Sequence, residues 1–173
     1  VIAELQAEGL GYAFPILDVT KAKAMWALRK AGLGILMGVV GDVKPVTVVE
    51  DTAVAVNVLP DYIEEFEKIM ERHDTQCVYY AHASVGELHL RPELNIKDPE
   101  DAKRFEAIAV EVTDLVKRFG GSVSGEHGDG RLRSPMLEQF YGEVLTEAHR
   151  AVKAAFDPKG LLNPGKIVDA KPL

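Results

Sequence analysis

Four side chains in two short stretches have the types that do chemistry. They are His82 and His89 in "YYAHASVGELHLRP", and Glu126 and His127 in "SGEHGDGRLRS". Seven positions separate the two histidines, an odd number that one continuous strand would send to opposite faces. A turn at Gly86 removes the conflict by bringing both rings together across a hairpin. Along "ELHLR", Leu88 and Leu90 alternate with Glu87, His89 and Arg91, which predicts an apolar face turned in and a polar face turned out. Two imidazoles and a carboxylate form the ligand set of a catalytic zinc type of site with one position open. Glu126 supplies the carboxylate if its loop folds over the hairpin. Spacing alone favours hydrogen-bonded surface histidines over a metal site, because paired histidines often bind nothing.

"SGEHGDG" admits three readings. As a phosphate cradle it is weak: Gly125, Gly128 and Gly130 do not have the dinucleotide-binding spacing, and the acids repel phosphate. As a turn it is acceptable, because Gly and Asp are residues that turns select. As a site loop it gains from adjacent Glu126 and His127, whose side chains diverge in extended backbone and can serve two partners. Flanking glycines let the backbone approach a ligand closely. Arg29 and Lys44 are candidate anchors for an anionic substrate, one a bidentate fork and the other a point charge; both are equally compatible with solvated surface positions. Arg91, Arg131 and Arg133 share that ambiguity. Tyr79, Tyr80 and Trp26 read as packing residues.

These residues need elements to hold them. "GYAFPILDV" (11–19) is β-like, with Pro15 at an edge or start. "TKAKAMWALRKAG" (20–32) is a helix capped by Thr20 and stopped by Gly32. "GILMGVV" and "VTVVEDTAVAV" read as strands. "DYIEEFEKIMERH" (61–73) has helical period, with Ile63, Phe66, Ile69 and Met70 inward. "QCVYYAH" and "ELHLR" are strands joined by "ASVG". The clearest helix is 98–121, with Asp98 as cap, Pro99 at the first position and Gly120-Gly121 at its end. "SPMLEQFYGEVLTEAHRAVKAAFD" gives one or two helices before a coil tail. Short links between paired strands favour an α+β fold: a ferredoxin-like antiparallel sheet with flanking helices, plus C-terminal helices.

The chain has 173 residues, 47% hydrophobic and 27% charged, with a net charge of -7. That composition fits a globular protein and excludes a nucleic-acid partner, which needs a basic footprint. The single cysteine, Cys77, permits no internal disulfide and points to a reducing, cytoplasmic compartment. No apolar run is long enough for a transmembrane segment. Both ends read as if the chain were cut from a longer polypeptide.

Taken in order, "WALR", "KPVTVVEDTAV", "HASVGELHLRP", "SGEHGDGRLRS" and "FDPKGLLNPGKIV" resemble the C-terminal half of FAD-linked oxidases of the vanillyl-alcohol-oxidase type. Within that group the chain is similar to the D-2-hydroxyacid dehydrogenases: D-lactate dehydrogenase, the glycolate oxidase flavin subunit and D-2-hydroxyglutarate dehydrogenase. Its motifs look closest to long bacterial members with a C-terminal iron-sulfur region. The resemblance implies that residues 1–173 form a substrate domain of a longer chain, with the FAD-binding domain N-terminal to it. It implies His82, His89 and Glu126 as ligands of a divalent metal, usually zinc, and His127 as general base. It implies Arg29 and Lys44 as grips for substrate carboxylates, and Asn163, Gly165 and Lys166 near the flavin.

The family's stretch His-x-Gly-Asp-Gly-Asn-Leu-His here reads His82-Ala-Ser-Val-Gly-Glu-Leu-His89, so both ligands stay while the turn changes. Arg91 stands where many relatives have Asn, and a cation there suits the second carboxylate of a substrate such as 2-hydroxyglutarate. The expected function is oxidation of a D-2-hydroxy acid to the 2-oxo acid with hydride transfer to FAD, the isolated chain being inert. The alternative is a non-catalytic metal- or small-ligand-binding module. The substrate reading also expects an iron-sulfur domain as a partner in the same polypeptide, and a cytoplasmic location or peripheral attachment to the inner membrane through the full-length protein.

Overall fold

The computed structural model describes all residues, 1–173, as two compact units: Val1–Val39 and Val40–Leu173. The first holds helices α1 (Ile2–Ala7) and α2 (Val19–Met37), neither of which buries a side chain. Four expectations change here. Residues 11–19 are coil up to the start of α2, the Asp18 carboxylate and not Thr20 caps that helix, and "GILM" continues it past Gly32. Four apolar residues in a row have no period that distinguishes helix from strand, so the preceding helix propagates through them. Trp26 is exposed rather than packed.

The second unit is built on one long strand. β4 (Glu87–Leu94) pairs antiparallel with β3 (Cys77–Ala81) on one side. On the other side it pairs with β1 (Lys44–Pro45) near one end and β2 (Thr52–Ala53) near the other. Ser122 bridges antiparallel to Ala53 and extends the sheet outward. The spatial order is therefore β3, β4, β1 with β2, then Ser122. With α3 (Leu59–Arg72) before β3 and α4 (Pro99–Arg118) after β4, this is the split βαβ arrangement of a ferredoxin-like α+β sheet.

Helix α3 buries Tyr62, Phe66, Ile69 and Met70, with Ile63 half-buried. Helix α4 buries Ile108, Ala109, Val112, Leu115 and Val116, the stripe that a 3.6-residue period puts on one face. Asp98 caps it through the Glu100 N–H at 2.8 Å. Both helices cover the face of β4 that carries Leu88, Leu90 and Leu94. The opposite face carries Glu87, His89 and Arg91. It was expected to face water, yet His89 is 4% and Arg91 8% exposed, because residues 50–51 and 124–127 lie over it. The C-terminal part comprises α5 (Gly130–Arg133), a 3-10 turn at Ser134–Met136, α6 (Leu137–Tyr141), α7 (Glu143–Phe156) and a coil tail.

The expected strand over "VTVVEDTAVAV" is broken. Pro45 pairs with Glu93 and Thr52 with Leu88, so seven steps along this edge face five along β4. Two extra residues must leave the ladder, as in an extended β-bulge. Glu50 and Asp51 lie in that excursion, and Asp51 has φ 83°, a left-handed conformation that few non-glycine residues adopt.

Candidate metal and substrate site

The expected hairpin forms, closed by the His82 N–H donating to the Glu87 carbonyl at 3.2 Å, but its left-handed residue is Ser84 (φ 70°), and what requires glycine at 86 is the approach of Val54. Val54 N–H donates to Gly86 C=O at 3.0 Å, and a Cβ at Gly86 would overlap the Val54 carbonyl. With the turn closed, the His82 and His89 rings meet edge to face, centroids 5.1 Å apart. His127 stacks on His89 at 5.4 Å and 10°, and Tyr80, paired with His89 across the ladder, lies 5.4 Å away on the same face.

All three imidazoles converge on one carboxylate oxygen. Glu126 Oε1 is 3.2 Å from His82 Nε2, 3.5 Å from His89 Nε2 and 3.4 Å from His127 Nε2. The other nitrogen of His127, Nδ1, is 3.5 Å from both Glu50 Oε1 and Asp51 Oδ1. Burial lowers the His89 pKa against the pull of Glu50, favouring the neutral ring that can coordinate a cation. Its Nδ1 is buried without a hydrogen-bond partner. His82, His89 and Glu126 thus fit a divalent cation by donor chemistry and by proximity, with the His89 and His82 Nε2 atoms both turned to Glu126 Oε1. A second overlapping set, Asp51, His89, Glu126 and His127, has donor atoms within 4.8 Å of one another.

Carboxylates and arginines surround this cluster. Arg91 Nε and Nη2 both donate to Glu50 Oε2, at 3.0 and 2.6 Å. Arg133, also buried, donates to the carbonyls of Glu50 and of Gly128. Burial raises the Asp51 pKa, but hydrogen bonds from Ser124, Glu87 and the His127 and Glu126 backbone outweigh it and hold the carboxyl at about 2. Burial, then interaction with the Asp51 carboxylate, then the Glu126 charge push Glu87 up to about 8. The two neighbouring acids are thus shifted in opposite directions from their ordinary values. Gly125 makes room for the Glu87 carboxyl, which a Cβ there would overlap.

The structure gathers His82, His89 and Glu126 as the sequence suggested, but His127 does not diverge from Glu126: its ring stacks on His89 and its Nε2 lies 3.4 Å from Glu126 Oε1. Arg91 is on the right face, but Glu50 holds its guanidinium. Lys44 pairs with Leu94, five ladder positions from His89 and about 17 Å along β4. Arg29 lies in the first unit, its guanidinium 5.6 Å above the Trp26 ring. Asn163 and Gly165 adopt positive φ in the tail, where Ile167 N–H donates to Ser134 Oγ at 2.9 Å; Gly165 and Lys166 line a surface cavity with Arg131. Glu50 and Asp51 were missed as site residues. Their signal was two adjacent acids inside an otherwise apolar run.

Residues 1–167 match the family described as FAD linked oxidases, C-terminal domain. The D-2-hydroxyglutarate dehydrogenase of Haemophilus influenzae is 40% identical over 150 residues, 87% of this chain and 14% of the relative. The enzyme of that name from Escherichia coli is 37% identical over 96% of this chain and 16% of its own length. The glycolate oxidase subunit GlcD of Bacillus subtilis is 31% identical over 85% of this chain and 30% of its own. The matched region is thus less than a third of the length of each of these relatives. With its split sheet and its motifs in family order, the chain belongs to the C-terminal domain family of the FAD-linked oxidases.

Proposed function

We propose that the chain is the substrate- and metal-binding part of a flavin-dependent dehydrogenase that oxidises a D-2-hydroxy acid to the 2-oxo acid. The observation that carries this reading is the convergence of three imidazole Nε2 atoms on Glu126 Oε1. The names of the relatives, D-2-hydroxyglutarate dehydrogenase and glycolate oxidase subunit, favour a 2-hydroxy acid as the substrate class.

In this reading His82, His89 and Glu126 hold a divalent cation, zinc by the donor set, which when bound polarises a hydroxyl oxygen toward loss of its proton. His127 takes that proton at Nε2 as a neutral imidazole, while Nδ1 sits between the Glu50 and Asp51 carboxylates. Arg91, held by Glu50 through Nε and Nη2, braces the carboxylate beside His127 and is the proposed grip for a second substrate carboxylate. Arg29 is the proposed fork for the substrate carboxylate. Lys44 stands too far along β4 to reach a small acid held at the imidazoles. The flavin, held mainly by a domain outside this chain, supplies the hydride acceptor, with Asn163 to Lys166 on its side of the site. An iron-sulfur centre or another carrier in a cytoplasmic enzyme completes the proposal.

The test uses the full-length protein with D-2-hydroxyglutarate, D-lactate and glycolate and an artificial electron acceptor. His127→Ala is expected to lower kcat by about 100- to 10,000-fold with bound zinc unchanged. Unchanged turnover rejects His127 as the base. Zinc binding without oxidation of any of the three acids supports a non-catalytic metal module instead.

A further inference from the structure

Four consecutive residues of the site loop bond to one residue. Ser124 Oγ donates to Asp51 Oδ2 at 2.7 Å, and the Gly125 N–H donates to the Asp51 carbonyl at 2.7 Å. The Glu126 N–H donates to Oδ1 and the His127 N–H to Oδ2, both at 3.0 Å. Asp51 is fully buried, and its own N–H is tied to the Leu88 carbonyl at 3.0 Å, next to His89. One residue therefore links the strand that carries one imidazole to the loop that carries the carboxylate and another imidazole. A buried carboxylate in a left-handed backbone conformation is costly, and here each of its oxygens is occupied by donors from that loop.

We propose that Asp51 is a positioning residue: it is not a metal ligand but the clamp that sets Glu126 and His127 relative to His89. The roles of Glu126 and His127 rest on the function proposed above, whereas the clamp itself does not. Within the cluster of donor atoms, Asp51 Oδ1 and Oδ2 already accept from Ser124, Glu126 and His127, which leaves the metal-facing role to Glu126 and the imidazoles. Asn keeps the size of Asp and tolerates left-handed backbone, but its amide turns one acceptor into a donor facing a backbone N–H. A loosened outer shell of this kind weakens metal affinity by about 10- to 100-fold.

The test is Asp51→Asn in the full-length protein, with three readouts. Amide hydrogen exchange at residues 125–127 is expected to speed at least about tenfold, as local opening becomes easier. Zinc affinity, measured by titrating metal-free protein, is expected to fall about 10- to 100-fold at unchanged stoichiometry, and kcat to fall with KM held within about twofold. Loss of zinc equal to that of His89→Ala overturns the proposal in favour of Asp51 as a ligand. Unchanged exchange and affinity overturn it outright. If the Asn variant does not fold, Ser124→Ala removes one of the four bonds; faster exchange at residues 126 and 127 supports the clamp, and unchanged exchange rejects it. If the wild-type protein binds no zinc, the functional reading fails while the exchange readout still decides the clamp.

Discussion

At the scale of single residues, the site depends on side chains that are absent as much as on those present. Gly125→Ala forces the buried Glu87 carboxyl to move, because the new Cβ would occupy its place. Overpacking of this kind costs about 1–3 kcal/mol, and urea unfolding of the variant is expected to show a lower midpoint at unchanged slope. Cys77 illustrates the opposite case, a reactive type made inert. Burial pushes its thiol up to about 12, so almost no thiolate exists at neutral pH. A thiol reagent at pH 7.5 is expected to label native protein far more slowly than urea-unfolded protein, and equal rates would contradict the burial. The four chemical residues were legible because imidazole and carboxylate types are scarce and their spacing is informative. Glu50 and Asp51 were not: two acids stand out in "VVEDTAV", but which of its residues leave the ladder is decided by pairing with β4.

At the scale of elements, periodicity identified α3, α4 and the β3–β4 hairpin, each with a period sustained over its length or a glycine turn beside it. It failed where a segment was short or where partner pairing decided the outcome: the apolar run absorbed into α2, and the interrupted edge of β1 and β2. Leu90 lies at the centre of the helix-facing side, fully buried, and Leu90→Ala is expected to cost about 2–5 kcal/mol in denaturant unfolding. The end of α7 offers a pH prediction. The Lys153 ammonium, and then the N–H groups of Leu162 and Leu161, hold the Asp157 carboxyl at about 2, below its usual 3.8. A depressed acid stabilises the folded state above its unfolded pKa and loses that contribution as pH falls through its folded value. Amide exchange at residues 161 and 162, corrected for its intrinsic pH dependence, is expected to rise between pH 4 and pH 2 and to stay level above pH 5. Asp157→Asn should abolish that dependence.

At the scale of the molecule, the hydrophobic core draws on residues between Val46 and Phe140, all in the second unit. A chain of residues 40–173 is therefore expected to unfold cooperatively, with coincident far- and near-ultraviolet circular dichroism transitions. In the first unit α2 buries no side chain, so its amides are expected to exchange orders of magnitude faster than those of α4. No helix is long and apolar enough to cross a membrane.

The two surplus residues between the β1 and β2 pairings also bear on which sequence changes the fold accepts. Deleting Glu50 and Asp51 would equalise the step counts along the two edges and let the ladder close without a gap. Such a shortened chain is expected to gain regular pairing and lose the centre of its site in a single event. Selection for thermal robustness alone would therefore favour the shorter edge, and selection for chemistry must keep resisting that deletion. Length variation at this one point in related chains thus separates those that preserve the site from those that preserve only the sheet.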